Sequence, residues 1–192
     1  MTLLTVWPDD HPEQVRLRTT DAETIARELG ELGVRFERWD VVEDLPLEVT
    51  ADEVVEAYRP QIDKVIAQEG YQLVDAVRMT PSADPSWADK AAQARQKFLA
   101  EHTHDDDEDR FFARGSGVFY LHIGANVYGV LCEAGDLLSV PAKTTHWFDM
   151  GTRPDYVSVR FFHDDGGWVG SFTGSPIAES FPDFDTLAAG LR

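Results

Sequence analysis

Three imidazoles and one carboxylate stand in a spacing that suits a divalent metal ion. His102, His104 and Glu108 lie in HTHDDDE, a His-x-His-x3-Glu pattern, and Gly115 follows in DRFFARG. His146 closes GDLLSVPAKTTH further along. Residues two apart on an extended strand point to one face, so His102 and His104 project together. Glu108, Arg110 and Phe112 share that parity wherever the extended conformation persists and no turn or bulge breaks it. His146 and Phe148 are paired in the same way. Three neutral imidazoles and a carboxylate are a borderline N3O donor set, suited to Fe, Ni, Mn, Cu or Zn. On an octahedral ion such a set leaves adjacent positions open for a bidentate oxygen substrate, whereas a structural zinc site more often uses Cys and closes its shell. No cysteine run, serine triad or phosphate loop competes with it.

The other candidates read as structural. His11 lies in a polar N-terminal stretch, His122 on a strand rim, and His163 before an Asp-Asp-Gly-Gly turn. Cys132 reads as a core residue. Asp105, Asp106 and Asp107 read as solvated loop, with one of them available to buttress a ligand. Arg110 is the natural local cation for an anionic substrate, because guanidinium is always charged and offers a planar donor fork. Its bland alternative is an ion pair on a barrel face. Arg160 in VSVRFF is the second candidate, with a stronger claim to a structural pair. Phe98, Phe148 and Trp168 are candidates to wall the site, each also suited to plain core packing.

These residues need a frame. The chain has 192 residues, which suits one domain, and 43% hydrophobic residues, enough to bury a core. Its formal charge of −18 repels nucleic acid and anionic membranes and favours a soluble monomer. An anionic substrate therefore has to be held by local cations. One cysteine excludes an internal disulfide framework and fits a reducing compartment. MTLLTVWPDDHPEQ lacks the basic start and apolar run of a signal peptide, and no stretch has the length of a membrane span. The expected location is the cytoplasm.

The chain has two textures. Residues 1–100 mix helix and strand as a layer packed on a barrel. Leu3 to Trp7 reads as a strand. Thr20-Asp21-Ala22-Glu23 and Thr50-Ala51-Asp52-Glu53 read as capping boxes that open helices. Pro60 should kink or divide the second. Val34 to Val42 and Tyr71 to Met79 read as strands, and Ser86 as the cap of a helix from Trp87 to about Leu99. From residue 101 to 170 the chain reads as the metal-binding barrel, with short strands DRFFAR, VFYLHI, VYGVLC, DLLSVP and DYVSVRFF set off by Gly-rich turns. Residues 171–192 form a tail or helix. The fold class expected is mainly β with peripheral helices (α+β), an antiparallel barrel or jelly roll.

The two histidine segments resemble the two cupin motifs. The first runs from His102 to Gly115, with Gln96 where many cupins have Gly. The second runs Gly135-x5-Pro141-x-Lys143-x2-His146, with Lys143 in place of a common Gly and Met150 in place of a common Asn. More specifically, KFLAEHTHDDDEDRFFARGSGVFYLHI, GDLLSVPAKTTHWFDMG, VSVRFF and GGWV resemble the acireductone dioxygenases. TADEVVEAYRPQIDKVIAQEGYQLVDAV and the chain length fit as well, so the resemblance covers most of the chain.

That resemblance implies an enzyme of methionine salvage. Such enzymes cleave 1,2-dihydroxy-3-keto-5-methylthiopentene with O2, giving formate and 2-keto-4-methylthiobutyrate with Fe(II). With Ni(II) the products are formate, carbon monoxide and 3-methylthiopropionate. It implies His102, His104, Glu108 and His146 as ligands of one Fe(II) or Ni(II) per chain, and Arg110 as a holder of substrate negative charge. Asp107 and Glu101 match positions linked to conformational transmission and metal incorporation. The alternatives are another cupin dioxygenase or isomerase with the same ligands, and a non-catalytic metal-binding cupin.

Overall fold

The computed structural model describes residues 1–43, 45–46, 48–166 and 168–191. In chain order the elements are β1 (Leu3–Pro8), β2 (Leu17–Thr19), α1 (Ala22–Gly30), β3 (Arg35–Arg38), α2 (Ala51–Ala57), α3 (Arg59–Glu69), β4 (Leu73–Met79) and α4 (Trp87–Leu99). There follow β5 (His102–Thr103), β6 (Glu108–Ile123), β7 (Asn126–Glu133), β8 (Asp136–Val140), β9 (Thr145–Asp149), β10 (Tyr156–Phe162) and β11 (Ser171–Phe172). A 3-10 turn at Ile177–Ser180 and α5 (Phe184–Ala189) end the chain. Arg192, at the end of the expected tail, lies outside the described residues. Among the described residues no helix is long and apolar enough to cross a membrane.

Every strand pairing is antiparallel, and β6 joins two sheets. Its second half pairs β7 and β9, in a sheet ordered β11-β5-β9-β6-β7-β1-β2. Its first half pairs β8 and β10, which continue to β3 and β4. DRFFAR and VFYLHI are thus one 16-residue strand, not two strands parted by a GSG turn. The reason is local. Opposite β10 the register slips between Val157 and Ser158, leaving Ala113 as the extra residue of a bulge. Gly115 then takes φ 71, where a Cβ would stand 1.8 Å from the Asp155 carbonyl oxygen. Only glycine fits there, and the strand bends instead of turning back.

The bulge also reverses parity. Phe112 faces the interior before it, and Phe119 and Leu121 face the interior after it. They pack with Leu4, Val130, Leu138 and Phe148, closed at one end by Ile25 and Leu29 of α1. The outer face of the β4–β10–β6–β8 sheet carries Phe111, Val157, Val159 and Phe161 under Val54, Tyr58, Ile62 and Val65 of α2 and α3. The outer face of the other sheet carries Trp7, Tyr120 and Trp147 under Phe181 and Leu187.

Most helix signals hold. Thr50 and Glu53 form the expected capping box, and Pro60 divides the helix into α2 and α3 by standing at the first turn of α3. At α1 the cap is Asp21, not Thr20, because the Asp21 carboxylate accepts the Thr24 amide at 2.9 Å. Helix α4 has the expected span, but the Ser86 hydroxyl donates to Asp84 and makes no cap bond among the described residues. The expected strands Val34–Val42 and Tyr71–Met79 shorten to β3 and β4, since pairing partners exist only over those lengths.

Candidate metal centre

Two-residue β5 carries His102 and sits between β9 and β11. His102 lies directly opposite His146 on β9, and His104 follows at the end of the short strand. The three side chains are 2–5% exposed, and their ligating nitrogens all lie within 4.8 Å of one another. Glu108 opens β6, and its Oε2 stands 3.0 Å from His104 Nε2 and 3.2 Å from His146 Nε2.

The rings are oriented from behind. His102 Nδ1 donates to the Ala100 carbonyl, and His146 Nδ1 to the Thr144 carbonyl, each at 2.8 Å. A carbonyl can only accept, so Nδ1 carries a proton in each ring and Nε2 is the nitrogen left to face the site. Lys143 adopts φ 65, the left-handed conformation natural to the glycine it replaces, and its amide donates to the His104 carbonyl at 2.7 Å. The peptide of a metal-ligand candidate is thereby tied to the turn that leads into His146.

Electrostatics suit a cation. Burial alone opposes ionisation of Glu108, yet the Arg110 guanidinium and the two imidazoles hold its carboxyl well below the ordinary range. Burial, reinforced by its two histidine neighbours, pushes His102 down and keeps it neutral. Burial also pushes His104 down, but the hydrogen bond and charge of Glu108 outweigh it and raise the group. His104 Nδ1 is buried with no hydrogen-bond partner among the described residues. Imidazole nitrogens that converge beside an ionised carboxylate fit the donor set a divalent ion needs.

Arg110 is 3% exposed. Its Nη2 donates to Glu108 Oε1 at 2.9 Å, and its guanidinium lies 4.7 Å from the Phe148 ring centre and 5.3 Å from that of Trp168. Its Nε has no hydrogen-bond partner among the described residues, leaving one buried donor unspent. The alternative read from sequence, a pair on a barrel face, is met by the glutamate of the site itself.

Beside this centre lies a cavity of about 370 Å³ lined in part by Asp75, Lys97, Phe98, Arg160, Phe162 and Trp168. Trp168 joins cavity to centre: its ring is 6.3 Å from His104 and 5.7 Å from the Arg160 guanidinium, and its Nε1 donates to the Asp107 carbonyl at 3.0 Å. Two expected wall residues, Phe98 and Trp168, therefore meet there with Arg160, the second expected cation. Phe148 does not line the cavity: at 2% exposure it packs on Phe119 and Tyr156 beneath Arg110, since its parity with His146 points it into the core. Arg160 is held by Asp75 through two bonds of 2.9 and 2.6 Å. Sequence reasoning missed Asp75, Lys97 and Phe162. Phe162 shares parity with Arg160 and was readable; Asp75 needed the β4–β10 register. In GGWV, Gly167 lies outside the described residues.

Asp105 is exposed in the loop as expected, but the rest of the acidic run is tied down. Asp106 binds His163, Nδ1 to Oδ1 at 2.5 Å, so His163 is paired too. Asp107 accepts the Ala142 amide at 2.7 Å. Asp109 is fully buried. Once the bracketing strands bury these positions, each carboxylate needs a donor. Glu101, also buried, takes His122 Nδ1 at 2.7 Å and the Thr173 hydroxyl at 2.6 Å. Cys132 is buried as expected.

An antiparallel β-barrel with peripheral helices and a buried three-histidine cluster beside a glutamate is the frame of a cupin-type metalloprotein. Residues 4–170 match the model of the ARD/ARD' family, and the chain belongs to that family. It is 62% identical over 189 residues to an acireductone dioxygenase of Saccharopolyspora erythraea, covering 98% of this chain and 99% of that one. It is 55% identical to one of Frankia alni, over 98% of this chain and 91% of that one. A solved acireductone dioxygenase from Bacillus anthracis, with a cadmium ion in its active center, superposes with a TM-score of 0.76 at 26% identity. The match covers 90% of this chain and 98% of that chain.

Proposed function

We infer that the chain is an acireductone dioxygenase of methionine salvage, with one divalent ion held by His102, His104, His146 and Glu108. The observation that carries the reading is the buried three-histidine cluster with Glu108 and Arg110 at its edge, in a family member that matches its relatives end to end. The expected ion is Fe(II) or Ni(II). When bound, it supplies Lewis-acid polarisation of the enediol oxygens and a path for electrons toward O2.

The chain's own residues do the rest. Glu108 stays ionised and helps balance the charge of the cation. Arg110 holds the substrate anion through its unspent Nε donor and its charge, in a site too buried for water to screen. That local cation answers the −18 of the whole chain. Phe98, Phe162 and Trp168 offer apolar and ring surface to the methylthio tail. Arg160, already neutralised by Asp75, bounds the mouth of the cavity. Asp107 acts through Trp168 and Ala142, and Glu101 through the strand that bears His102. The charge of the surface and the single cysteine support a monomer working in the cytoplasm.

The test is aerobic decay of a synthetic acireductone with metal-free, Fe(II)-loaded and Ni(II)-loaded protein. Formate and keto acid from the iron form, and carbon monoxide from the nickel form, are expected. No acceleration by protein of verified metal content overturns the assignment and favours another cupin reaction.

A further inference from the structure

We propose that Thr173 is a positioning residue for the metal centre, latching the 171–173 strap onto the strand that carries His102. The inference rests on the metal-site reading above and not on the substrate.

β5 is two residues long, and its only strand partners among the described residues are β9 and β11. On the β11 side the pairing covers Ser171↔Thr103 and Phe172↔His102. Ser171, Phe172 and Thr173 are all exposed, Phe172 at 60%, so little apolar burial holds the strap in place. Phe172 has its ring 5.6 Å from that of His102, and a Cβ on Gly170 would meet the His102 ring at 3.5 Å. The strap therefore lies directly on a ligand imidazole, close enough to hold it or, if loosened, to free it.

Polar bonds do the holding. The Thr173 amide donates to the Glu101 carbonyl at 3.1 Å, and its hydroxyl donates to Glu101 Oε2 at 2.6 Å. Oε1 of the same carboxylate accepts His122 Nδ1 from β6 at 2.7 Å, and His122 Nε2 stands 3.4 Å from Asp9. Glu101 is 4% exposed, so its oxygens need these donors. One buried carboxylate thus ties the residue before His102 to β6 on one side and to the strap on the other. Thr173 is the strap's end of that tie.

The experiment measures release of Ni(II) from fully loaded protein into excess chelator, with hydrogen exchange of the 101–103 and 171–173 amides in parallel. Thr173→Val keeps the shape and the backbone bond but removes the hydroxyl; Thr173→Ser keeps the hydroxyl. The latch predicts release roughly tenfold faster in Thr173→Val, the scale of losing the hydroxyl's bond to Glu101 Oε2 together with the weaker one it accepts from the Ser175 amide. It also predicts faster exchange in both segments, an unfolding midpoint lowered by no more than a few degrees, and near wild-type behaviour in Thr173→Ser. If Thr173→Val does not fold, Thr173→Ala reads the same loss. Wild-type release from the hydroxyl-free variant overturns the proposal, as does equal acceleration in both Val and Ser variants. Failure of the wild-type protein to bind Ni(II) overturns the underlying metal reading instead, and the latch with it.

Discussion

β6 begins with two carboxylates in succession, and they face opposite sides of one sheet. Glu108 and Asp109 are 4% and 0% exposed. Glu108 looks inward at Arg110, His104 and His146, and is held well below the ordinary carboxylate range. Asp109 looks outward at Arg35, 2.9 Å away, under the layer of α2 and α3. There burial prevails, and the group is raised. Charge, strand and burial are shared, so neighbours alone decide what each carboxylate is for. Where two imidazoles and a buried guanidinium converge, the anion is kept ready for a cation. Where a partly exposed arginine is shared with Glu69, the anion is only tolerated.

The sharpest way to break this comparison is to remove the inward set. His102→Ala or His146→Ala should abolish metal retention and turnover together, because each takes a nitrogen from a cluster that has no spare. Glu108→Gln should follow the same course, weakening metal binding at least tenfold. Metal analysis after gel filtration, beside turnover, checks all three. Full metal content in any histidine variant would remove that residue from the ligand set.

Arg110→Ala should keep the metal while turnover falls roughly 100- to 1000-fold, the scale of losing one aimed donor to developing charge. Full activity with bound metal would return Arg110 to a purely structural pair with Glu108. This variant separates the two roles of the guanidinium: neighbour of an expected ligand, and donor with an unpartnered Nε among the described residues.

How much of this was legible in sequence follows from range. The four expected ligands and Arg110 sit on one contiguous segment plus one later strand; parity pairs Glu108 with Arg110, but a bend at 105–106 parts β5 from β6, and the pairing of β5 with β9 brings His102 to His146. Capping at Thr50 and the break at Pro60 are equally local. What failed was set by distant partners. Nothing in GSG reveals that Gly115 lies under the Asp155 carbonyl and bends a strand instead of ending it. Nothing in DDDED tells Asp107, held by the Ala142 amide, from Asp109, held by Arg35. The place of Phe148 has the same source. Its parity was right, but the inner face of β9 runs from the site into the core within two residues.

Asp136 sharpens the comparison with a third buried carboxylate. It opens β8, fully buried, with Thr2 donating at 2.6 Å and the half-exposed Arg38 guanidinium in an ion pair at 3.1 Å. Burial pushes it up from 3.8 to about 6. Folding thus favours the protonated form. That contribution is full below 3.8 and is lost as pH rises through about 6. Asp136→Asn, which cannot titrate, should gain on the wild type by up to about 3 kcal/mol between pH 4 and pH 7. Urea unfolding at the two pH values checks it, and a constant difference between the proteins would contradict the assignment.

The smallest effect is the most discriminating. Asp109→Asn is isosteric, keeps an acceptor for Arg35, and leaves that guanidinium its bond to Glu69. Because burial already opposes the Asp109 charge, removing it should move stability at pH 7 by no more than about 1 kcal/mol. Metal content and turnover should stay at wild-type levels. The same Glu-to-Gln chemistry one residue earlier should empty the site. If Asp109→Asn instead lowers metal retention as Glu108→Gln does, then the two faces of β6 are coupled through the strand itself, and side-chain neighbours alone do not set the role of each carboxylate.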